Sequence, residues 1–295
     1  MAKAEKPSRT KKRTTFDWVN VFLLTVLMLV ILLPFYYTVV KSFMTEREFI
    51  MGGSLLWPKE ATLANYKSIL QTKAIWRSFG NTVFNVVLGV VYNMFITVTL
   101  AYGLSRKRFP GRALIQNLVV FTMYFSGGLI PFFLVVKQLG LIGSRFSIIL
   151  PFGLNVFNMI ILRTFFEQLP PDLEEAARVD GAGPLRVFWQ INLPMVKPAL
   201  ATIVLFYMVD RWNEWFYGSL FLGDGKLWTI QLQLRQILWA TNAFTGNIPA
   251  EAGRRIFSEG IKAASVIVTI FPIMCVYPFL QKYFVKGVMI GAVKS

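Results

Sequence analysis

The sequence predicts an all-α membrane protein in which six transmembrane helices cross the bilayer and both termini lie in the cytoplasm. Its composition, the length of its apolar runs and the placement of its basic residues support this prediction. Of the 295 residues, 55% are hydrophobic and only 16% are charged, whereas roughly 25% are charged in an ordinary soluble domain. The net charge of +16 does not indicate a nucleic-acid binder, because the basic residues separate apolar runs instead of gathering on one folded face.

Six apolar runs are long enough to span a bilayer, which requires about 20 residues of helix. The predicted spans are 16–40, 81–104, 113–136, 146–166, 199–222 and 263–281. The first run is much longer than the roughly 7 to 15 apolar residues of a signal-peptide core, and no small-x-small cleavage site follows it, so we expect it to be retained. The predicted transmembrane domain therefore covers residues 16–284.

Basic residues in the short loops predict the orientation, because such residues accumulate on the cytoplasmic side. The N-terminal tail 1–15 has six Lys or Arg residues, and the second-to-third connection has four between Arg106 and Arg112, against two in the third-to-fourth connection. The basic residues of the tail are Lys3, Lys6, Arg9, Lys11, Lys12 and Arg13. The cytoplasmic side then holds the tail 1–15, the segment 170–198 and the tail 285–295.

The opposite side of the membrane receives the two longer connections, 41–80 and 223–262. Within the second, the run from Leu227 to Trp239 mixes strand-like and helix-like spacing. We predict that this run forms a short helix at the membrane interface.

The residue inventory argues against several chemistries. There is no histidine, the commonest metal ligand and general base, and the single cysteine, Cys275, excludes an intrachain disulfide. No phosphate-binding loop is present, because Gly223-Asp224-Gly225-Lys226 lacks the G-x-x-x-x-G-K-[ST] spacing. We therefore predict no catalytic residue, no metal site and no ATP hydrolysis by this chain alone.

The polar segment 170–198 has the pattern of a short helix followed by a second turn-rich piece. Pro170 and Pro171 interrupt the preceding run, and Asp172 with Glu175 three residues later matches a capping box. Gly181 suits the left-handed position that ends a helix, which leaves a helix of about nine residues. The second piece is predicted to end before Leu193-Pro194. Such helices occur in many cytoplasmic loops, so this pattern alone does not specify a function.

The spacing of identities within the segment is more specific. Glu175-Ala176-Ala177 is followed by Gly181, Ile191 and Leu193-Pro194. This spacing resembles the signature of the permease subunits of ATP-binding-cassette (ABC) importers. The segments 212–214, 281–287 and 291–294 are similar to the smaller permease of carbohydrate importers of the maltose-transporter type. Within that family, the runs RWNEWF (211–216) and IQLQLRQIL (230–238) resemble the lipoprotein, aldouronate and pectin-oligosaccharide branch.

The resemblance implies a type I ABC importer transmembrane fold and a division of labour between subunits. The segment would couple this chain to an ATPase subunit and so drive alternating access. The implied coupling residues are Glu174, Glu175, Ala176, Ala177, Gly181, Ile191, Leu193 and Pro194. The implied partners are a second permease forming a heterodimer, two cytoplasmic ATPase subunits that bind ATP and Mg, and an extracellular sugar-binding protein. This chain would bind no cofactor and no nucleic acid.

Polar residues inside apolar runs are the candidates for the substrate path, because charges within a membrane are costly unless they face protein or water. The candidates are Asp210, Trp212, Asn213 and Glu214 in the fifth run, Asn155 and Asn158 in the fourth, and Tyr124 in the third. Alternatively, Asp210 and Arg211 mark the outer end of a shorter helix, or the charges close an external gate. The two asparagines either line the path or bond a neighbouring helix.

The last two candidate sites are a break in the third span and the tip of an external segment. Tyr124 precedes Ser126-Gly127-Gly128, which together with Pro131 is expected to kink or unwind the third span. The tip of segment 223–262 is a candidate contact for the binding protein, and a plain flexible loop is the alternative. The residues of that tip are Phe244, Gly246, Asn247 and Pro249.

Two other functions compete with the importer permease. A self-contained secondary transporter or channel would use the charges around Asp210 for ion coupling, although such proteins usually contain internal repeats and none is evident between the two halves. An ABC permease for a non-sugar solute, such as a peptide or a phosphonate, is the other alternative.

Overall fold

The computed structural model describes residues 14–244 and 258–292, and the regular secondary structure within these ranges is entirely helical. The helices of the first half are α1 (Thr15–Ser42), α2 (Glu46–Ile50), α3 (Ala64–Leu70), α4 (Lys73–Ser105), α5 (Arg112–Tyr124), α6 (Leu129–Gln138) and α7 (Val156–Glu167). Those of the second half are α8 (Pro171–Val179), α9 (Pro184–Val187), α10 (Leu193–Met195), α11 (Lys197–Trp212), α12 (Phe216–Phe221), α13 (Ile230–Phe244) and α14 (Ser258–Ala292).

The chain divides into two compact units, one of residues 1–68 with 251–267 and one of residues 69–250 with 268–295. In the first unit, the buried Asn65 amide donates to the carbonyl oxygens of Ser42 (3.0 Å) and Met44 (3.1 Å). Lys41 Nζ and Glu259 Oε2 form an ion pair at 2.5 Å. These contacts hold the end of α1 against α3 and the beginning of α14.

Helix α1 shows the clearest lipid-facing surface. It begins with a capping box in which the amide of Asp17 donates to Thr14 Oγ1 and the amide of Thr14 donates to Asp17 Oδ2. Nearly all of its large apolar side chains between Phe16 and Tyr36 are exposed within the chain. An apolar surface of this size is stable only against lipid or another protein.

The second unit is built on α4, which packs against α7 and α11. Buried apolar side chains of the three helices, such as Leu104, Leu162 and Ile203, form this core. A smaller apolar cluster joins α6 and α12 to the 3-10 turns that precede α7. Its buried members are Val136, Ile148, Ile149, Phe221 and Leu222.

Three of the described helical segments are individually long and apolar enough to cross a membrane: Thr15–Ser42, Lys73–Ser105 and Glu259–Val276. Three bent pairs also qualify if each pair crosses as one span, which gives up to six spans in the described ranges. The pairs bend by 118° between Arg112–Tyr124 and Leu129–Gln138, by 45° between Arg145–Phe152 and Val156–Glu167, and by 77° between Pro184–Met195 and Lys197–Trp212.

The break in the third apolar run lies where the sequence predicts it. Helix α5 ends at Tyr124 and α6 begins at Leu129. Gly128 has a φ of +88°, a conformation that L side chains rarely adopt. The predicted unwinding at Ser126-Gly127-Gly128 is therefore confirmed.

The fifth apolar run differs from the single helix that its sequence suggests. Helix α11 ends at Trp212, and a separate helix, α12, begins at Phe216. Two side chains bond the backbone at the break, since Asn213 Nδ2 donates to the Val209 carbonyl (2.8 Å) and Glu214 Oε1 accepts from the amide of Tyr217 (2.8 Å). Both interactions compete with continuation of the helix.

The predicted N-terminal tail lies almost entirely outside the described ranges, whereas most of the predicted C-terminal tail lies inside a helix. Residues 1–13 of the predicted N-terminal tail lie outside the described residues. Helix α14 contains Pro272 and Pro278 and continues to Ala292, so the predicted tail 285–295 begins within this helix, and residues 293–295 lie outside the described range.

Candidate functional site

The segment 170–198 forms a helix, a tight turn and a second irregular helical piece. Helix α8 has nine residues, and its N-cap is Pro170, which has no side-chain capping bond. The predicted capping box between Asp172 and Glu175 is therefore wrong, because Pro171 already occupies the first helical turn and Asp172 lies inside the helix. Gly181 ends the helix with a φ of +80°, as predicted, and its amide donates to the Arg178 carbonyl (3.0 Å).

The second piece continues further than its sequence suggests. Helix α9 leads into a π-helical turn, Phe188–Asn192, and α10 follows directly. Pro194 lies inside α10, so the predicted end before Leu193-Pro194 is wrong. Proline is tolerated in the first turn of a helix, where its missing N–H is not needed. Ile191, Leu193 and Pro194 are half-buried.

The two pieces present an exposed surface of mixed character. Glu175, Ala176 and Gly181 are exposed, and Ala177 is half-buried. Apolar side chains stand out beside them, because Val179 is 88% exposed and Leu185 is 76% exposed. Small residues next to exposed apolar ones make a surface that another protein can approach closely.

Glu174 differs from Glu175 because it faces its own chain. Its side chain is only 12% exposed and forms ion pairs with Arg106, at the end of α4, and with Arg178 (3.8 Å). Arg106 also stacks on the Tyr102 ring, with its guanidinium carbon 4.3 Å from the ring centroid. These contacts attach α8 to α4 through one partly buried ion pair.

The central polar feature of the second unit is Arg211, which is 3% exposed. Its guanidinium donates to Asn93 Oδ1 from Nε (3.2 Å) and Nη2 (3.0 Å), to the Ile148 carbonyl from Nη1 (2.5 Å) and to the Phe152 carbonyl from Nη2 (2.7 Å). Gly89 provides the space for this side chain, since a Cβ there would lie 3.2 Å from Arg211 Cδ. Arg211 therefore bonds α11 to α4 and to the irregular backbone before α7.

Arg211 lies beside a row of polar residues on the buried face of α4. The row includes Asn81, Thr82, Asn93 and Thr97, all buried, and Asn81, Asn93 and Thr97 are separated by multiples of four residues, which keeps them near one face of the helix. Asn81 Nδ2 donates to the carbonyls of Lys226 (2.8 Å) and Trp228 (3.1 Å), and Thr82 Oγ1 accepts from the amide of Ile230 (2.8 Å). The row thus satisfies backbone groups of non-helical segments, which membrane burial would otherwise leave unpaired.

Asn155 and Asn158, the candidates of the fourth run, have local structural bonds. Asn155 is the N-cap of α7, and its side chain accepts from the amide of Asn158 (3.1 Å). The amide of Asn155 donates to Tyr207 Oη (3.0 Å), which in turn bonds Thr97 Oγ1 (2.7 Å). The start of α7 is therefore tied to α11 and α4 close to the Arg211 group.

The candidates of the fifth run lie at the end of α11 rather than along a continuous helix. Asp210 is exposed, and Trp212 is 6% exposed with Nε1 donating to the Thr269 carbonyl (3.3 Å). Asn213 is exposed and accepts from Gln231 Nε2 (3.1 Å), while the half-buried Glu214 caps α12. Of these candidates, Asp210 and Asn213 are the exposed residues, and the Asn213 amide bonds Val209 and Gln231 within the chain.

The remaining candidates lie elsewhere. Tyr124 is 82% exposed at the end of α5, and among the described residues it has no hydrogen bond to the Arg211 group. Phe244 is the last described residue of α13, and Gly246, Asn247 and Pro249 lie outside the described residues. The predicted helix in the run 227–239 is confirmed as α13, which begins at Ile230.

Three features were not predicted from the sequence: the polar row on α4, the ion pair of Arg106 with Glu174, and the hydrogen bonds of Arg211. A signal for the row was present, because Asn81, Asn85, Gly89, Asn93 and Thr97 recur every four residues in an apolar run. The roles of the arginines depend on partners far away in the chain, which spacing does not reveal.

Gly153 offers a test of the break before α7. A Cβ added there would lie 2.7 Å from Ile96 Cδ1 and 2.8 Å from Tyr92 Cε1. We expect Gly153→Ala to destabilise the protein by about 1–3 kcal/mol, as overpacking in a filled interior does. Unfolding of the purified protein in detergent, followed by circular dichroism, measures the change.

The matched control for this test is Gly103→Ala in α4, where nothing lies within 4 Å of the added Cβ. This control is expected to stabilise the helix by roughly 0.5–1 kcal/mol. Equal stability of the two variants would contradict close packing at Gly153.

Comparisons with known proteins agree with this architecture. Residues 94–290 match the family model described as "Binding-protein-dependent transport system inner membrane component". Protein LplC of Bacillus subtilis (strain 168) is 42% identical over 302 residues, covering 100% of both chains. The polygalacturonan/rhamnogalacturonan transport system permease protein YtcP of the same organism is 42% identical, covering 96% of this chain and all of YtcP.

A solved structure is also similar. It is described as a bacterial ABC transporter involved in the import of the acidic polysaccharide alginate. The TM-score is 0.85 with 34% identity, over 95% of this chain and 100% of the matched chain. The fold and the apolar surface thus define a multi-helix integral membrane protein of the permease class. The chain belongs to the family of inner-membrane components of binding-protein-dependent transport systems, the permeases of ABC importers.

Proposed function

We propose that this chain is one permease subunit of an ATP-driven importer that moves an oligosaccharide by alternating access. The observation that carries the proposal is the surface of segment 170–198. Three of the residues with the importer spacing are exposed: Glu175 and Ala176 on the short helix α8, and Gly181 just after it. That surface would bind a cleft of a separate ATPase subunit, so that closure of the ATPases moves the attached helices.

In the proposed arrangement the pairs α5 with α6 and 145–152 with α7 each cross the membrane as one span, and α11 with α12 forms the fifth span after the cytoplasmic segment 170–198. Together with α1, α4 and α14 this makes six spans with both termini in the cytoplasm. The density of basic residues in 106–112 supports a cytoplasmic position for that connection. The ion pair between Arg106 and Glu174 supports the same side for α8, because its two partners must lie at one membrane depth.

The proposed cargo follows from the relatives. The names of YtcP and of the solved alginate importer both describe transport of a polysaccharide-derived substrate. Among the candidate residues of the fifth run, Asn213 and Asp210 are exposed at the break after α11. We therefore place substrate contact at this break, with Trp212 and Glu214 holding its backbone.

The proposed assembly contains four further components. They are a second permease, two cytoplasmic ATPase subunits that bind ATP and Mg, and an extracellular sugar-binding protein. The tip 244–252 is the proposed contact for the binding protein. The absence of a phosphate-binding loop from the sequence supports placing ATP hydrolysis in partner chains.

The test changes the exposed coupling surface without disturbing the membrane helices. Gly181→Asp and Glu175→Lys are expected to abolish co-purification with the ATPase, or substrate-stimulated ATP hydrolysis in the assembled complex. Nothing lies within 4 Å of a Cβ at Gly181, so the loss would not reflect a clash within this chain. Co-purification and hydrolysis are measured with the full transporter in lipid.

Gly140→Asp is the matched control, because Gly140 also has a positive φ (+68°) and an open environment. It lies in the connection predicted on the opposite side of the membrane, so we expect normal complex formation. If Gly181→Asp and Glu175→Lys both transport normally, the coupling role of the segment is wrong and a self-contained transporter becomes the better explanation.

A further inference from the structure

One face of α13 carries a guanidinium held against two tryptophan rings. The guanidinium carbon of Arg235 lies 3.6 Å from the centroid of the Trp215 ring and 4.1 Å from that of the Trp239 ring. Gln231, Arg235 and Trp239 are spaced four residues apart, so they share this face of the helix. Gln231 bonds Asn213 at the end of α11, which places the face beside the break between α11 and α12.

Arg235 has neither a carboxylate partner nor a hydrogen-bond acceptor among its contacts in the described part of the chain. Arg106, Arg112, Arg163 and Arg178 pair with glutamates, and Arg211 is saturated by Asn93 and backbone carbonyls. No described carboxylate lies within ion-pair distance of the half-buried Arg235, whose contacts are the two rings. A guanidinium stacked on ring faces keeps the N–H donors at the edge of its plane available.

The groups around Arg235 match the chemistry of an acidic sugar. Indole faces pack against the apolar faces of sugar rings, and amides such as Asn213 bond hydroxyl groups. The edge of a guanidinium binds a carboxylate through two parallel hydrogen bonds. Trp239 is 56% exposed and Asn213 is exposed, so a ligand can reach them.

We propose that Arg235, Trp215, Trp239, Asn213 and Gln231 form a subsite for a uronate unit of the transported oligosaccharide. This inference rests on the proposed function and names its substrate class. Arg235 binds the carboxylate, while the tryptophans hold the guanidinium in position and pack against the sugar ring.

The experiment compares two probes in the full transporter, reconstituted in proteoliposomes with its binding protein. The probes are a trimer of α-1,4-linked galacturonic acid and the same trimer with its carboxyl groups reduced to primary alcohols. Arg235→Gln is expected to lower uptake of the acidic trimer roughly tenfold or more, since loss of a paired charge costs at least that factor in affinity. Uptake of the reduced trimer should change less than about twofold, because it makes no charge pair.

Two further variants separate ligand binding from folding. Arg235→Lys keeps the charge but loses the planar pair of donors, so acidic uptake should fall between wild type and Arg235→Gln. Trp239→Ala removes one ring at a largely exposed position and should also lower acidic uptake while assembly is normal. The control is Arg77→Gln, which makes the same charge change at an exposed residue of α4 and should leave uptake unchanged.

The outcomes distinguish the subsite from the transporter function. If wild type moves neither trimer nor any other oligosaccharide, the proposed function itself fails. If wild type moves only the reduced trimer, or if Arg235→Gln takes up the acidic trimer at the wild-type rate, the subsite is overturned and the importer function stands. An equal loss for both trimers also overturns it and indicates that Arg235 binds a lipid or the second permease.

Discussion

Replacing Arg211 by methionine is expected to destabilise the protein by about 3 kcal/mol or more, because it leaves two buried acceptors, Asn93 Oδ1 and the Ile148 carbonyl, without these donors. The substitution keeps an apolar side chain of similar length, so the main loss is the four hydrogen bonds to Asn93, Ile148 and Phe152. Asn93 Nδ2 would still donate to the Phe152 carbonyl (2.5 Å), but the Ile148 carbonyl and Asn93 Oδ1 would lose these donors.

The measurement is reversible unfolding of the purified protein in mixed micelles, followed by near-ultraviolet circular dichroism. Arg145→Met is the matched control, because Arg145 donates one hydrogen bond to Asn81 (2.8 Å) and stacks on Phe84. That control should cost about 0.5–1.5 kcal/mol. Equal effects of the two substitutions would contradict a central role for Arg211.

The bonds of Arg211 explain how irregular backbone is tolerated within an apolar chain. The segment 148–155 breaks the fourth apolar run, and its carbonyls must find donors because lipid offers none. Arg211 and Asn93 supply these donors from two different helices. The break is thus held by α4 and α11 together, and a displacement of either helix changes the geometry at the start of α7.

Local chemistry made part of the site predictable from the sequence. A proline restricts the backbone at its own position, as Pro170 and Pro171 do, whereas a glycine such as Gly181 can adopt the positive φ that ends a helix. The nine-residue α8 could therefore be predicted without knowing its neighbours. The same holds for the break at Ser126-Gly127-Gly128. Such signals need only a few residues of context.

The remaining features depend on distant partners. Arg211 bonds residues 59 to 118 positions away, and no pattern within the fifth run identifies them. An apolar run also does not show where its helix ends, because the break after Trp212 arises from the Asn213 and Glu214 side chains bonding nearby backbone. Glu174 and Glu175 are adjacent in sequence, yet only Glu174 pairs with its own chain. Their different orientations follow from the placement of Arg106.

Reversing the charge of Glu174 to lysine is expected to uncouple the transporter, lowering substrate-stimulated ATP hydrolysis roughly tenfold. The new ammonium would face Arg106 and Arg178, both of which pair with Glu174 in the native chain. Disfavouring the attached position of α8 by about 1.4 kcal/mol or more is sufficient for a tenfold change in its population. ATPase activity of the complete complex, with and without loaded binding protein, measures the coupling.

The charge-swapped double variant, Arg106→Glu with Glu174→Lys, decides why coupling is lost. If Glu174 acts by attaching α8 to α4, the swapped pair restores attraction between the two helices and recovers much of the stimulated hydrolysis. If Glu174 instead contacts the ATPase directly, the double variant remains as defective as Glu174→Lys. Arg106→Glu alone should be defective in the first case, since two acidic side chains then repel each other between α4 and α8. In that case, motion of the exposed surface around Glu175 would be transmitted to α4 through the ion pair of Glu174 with Arg106. Asn93 of α4 contacts Arg211 and the Phe152 carbonyl, so the same motion would reach the break before α7.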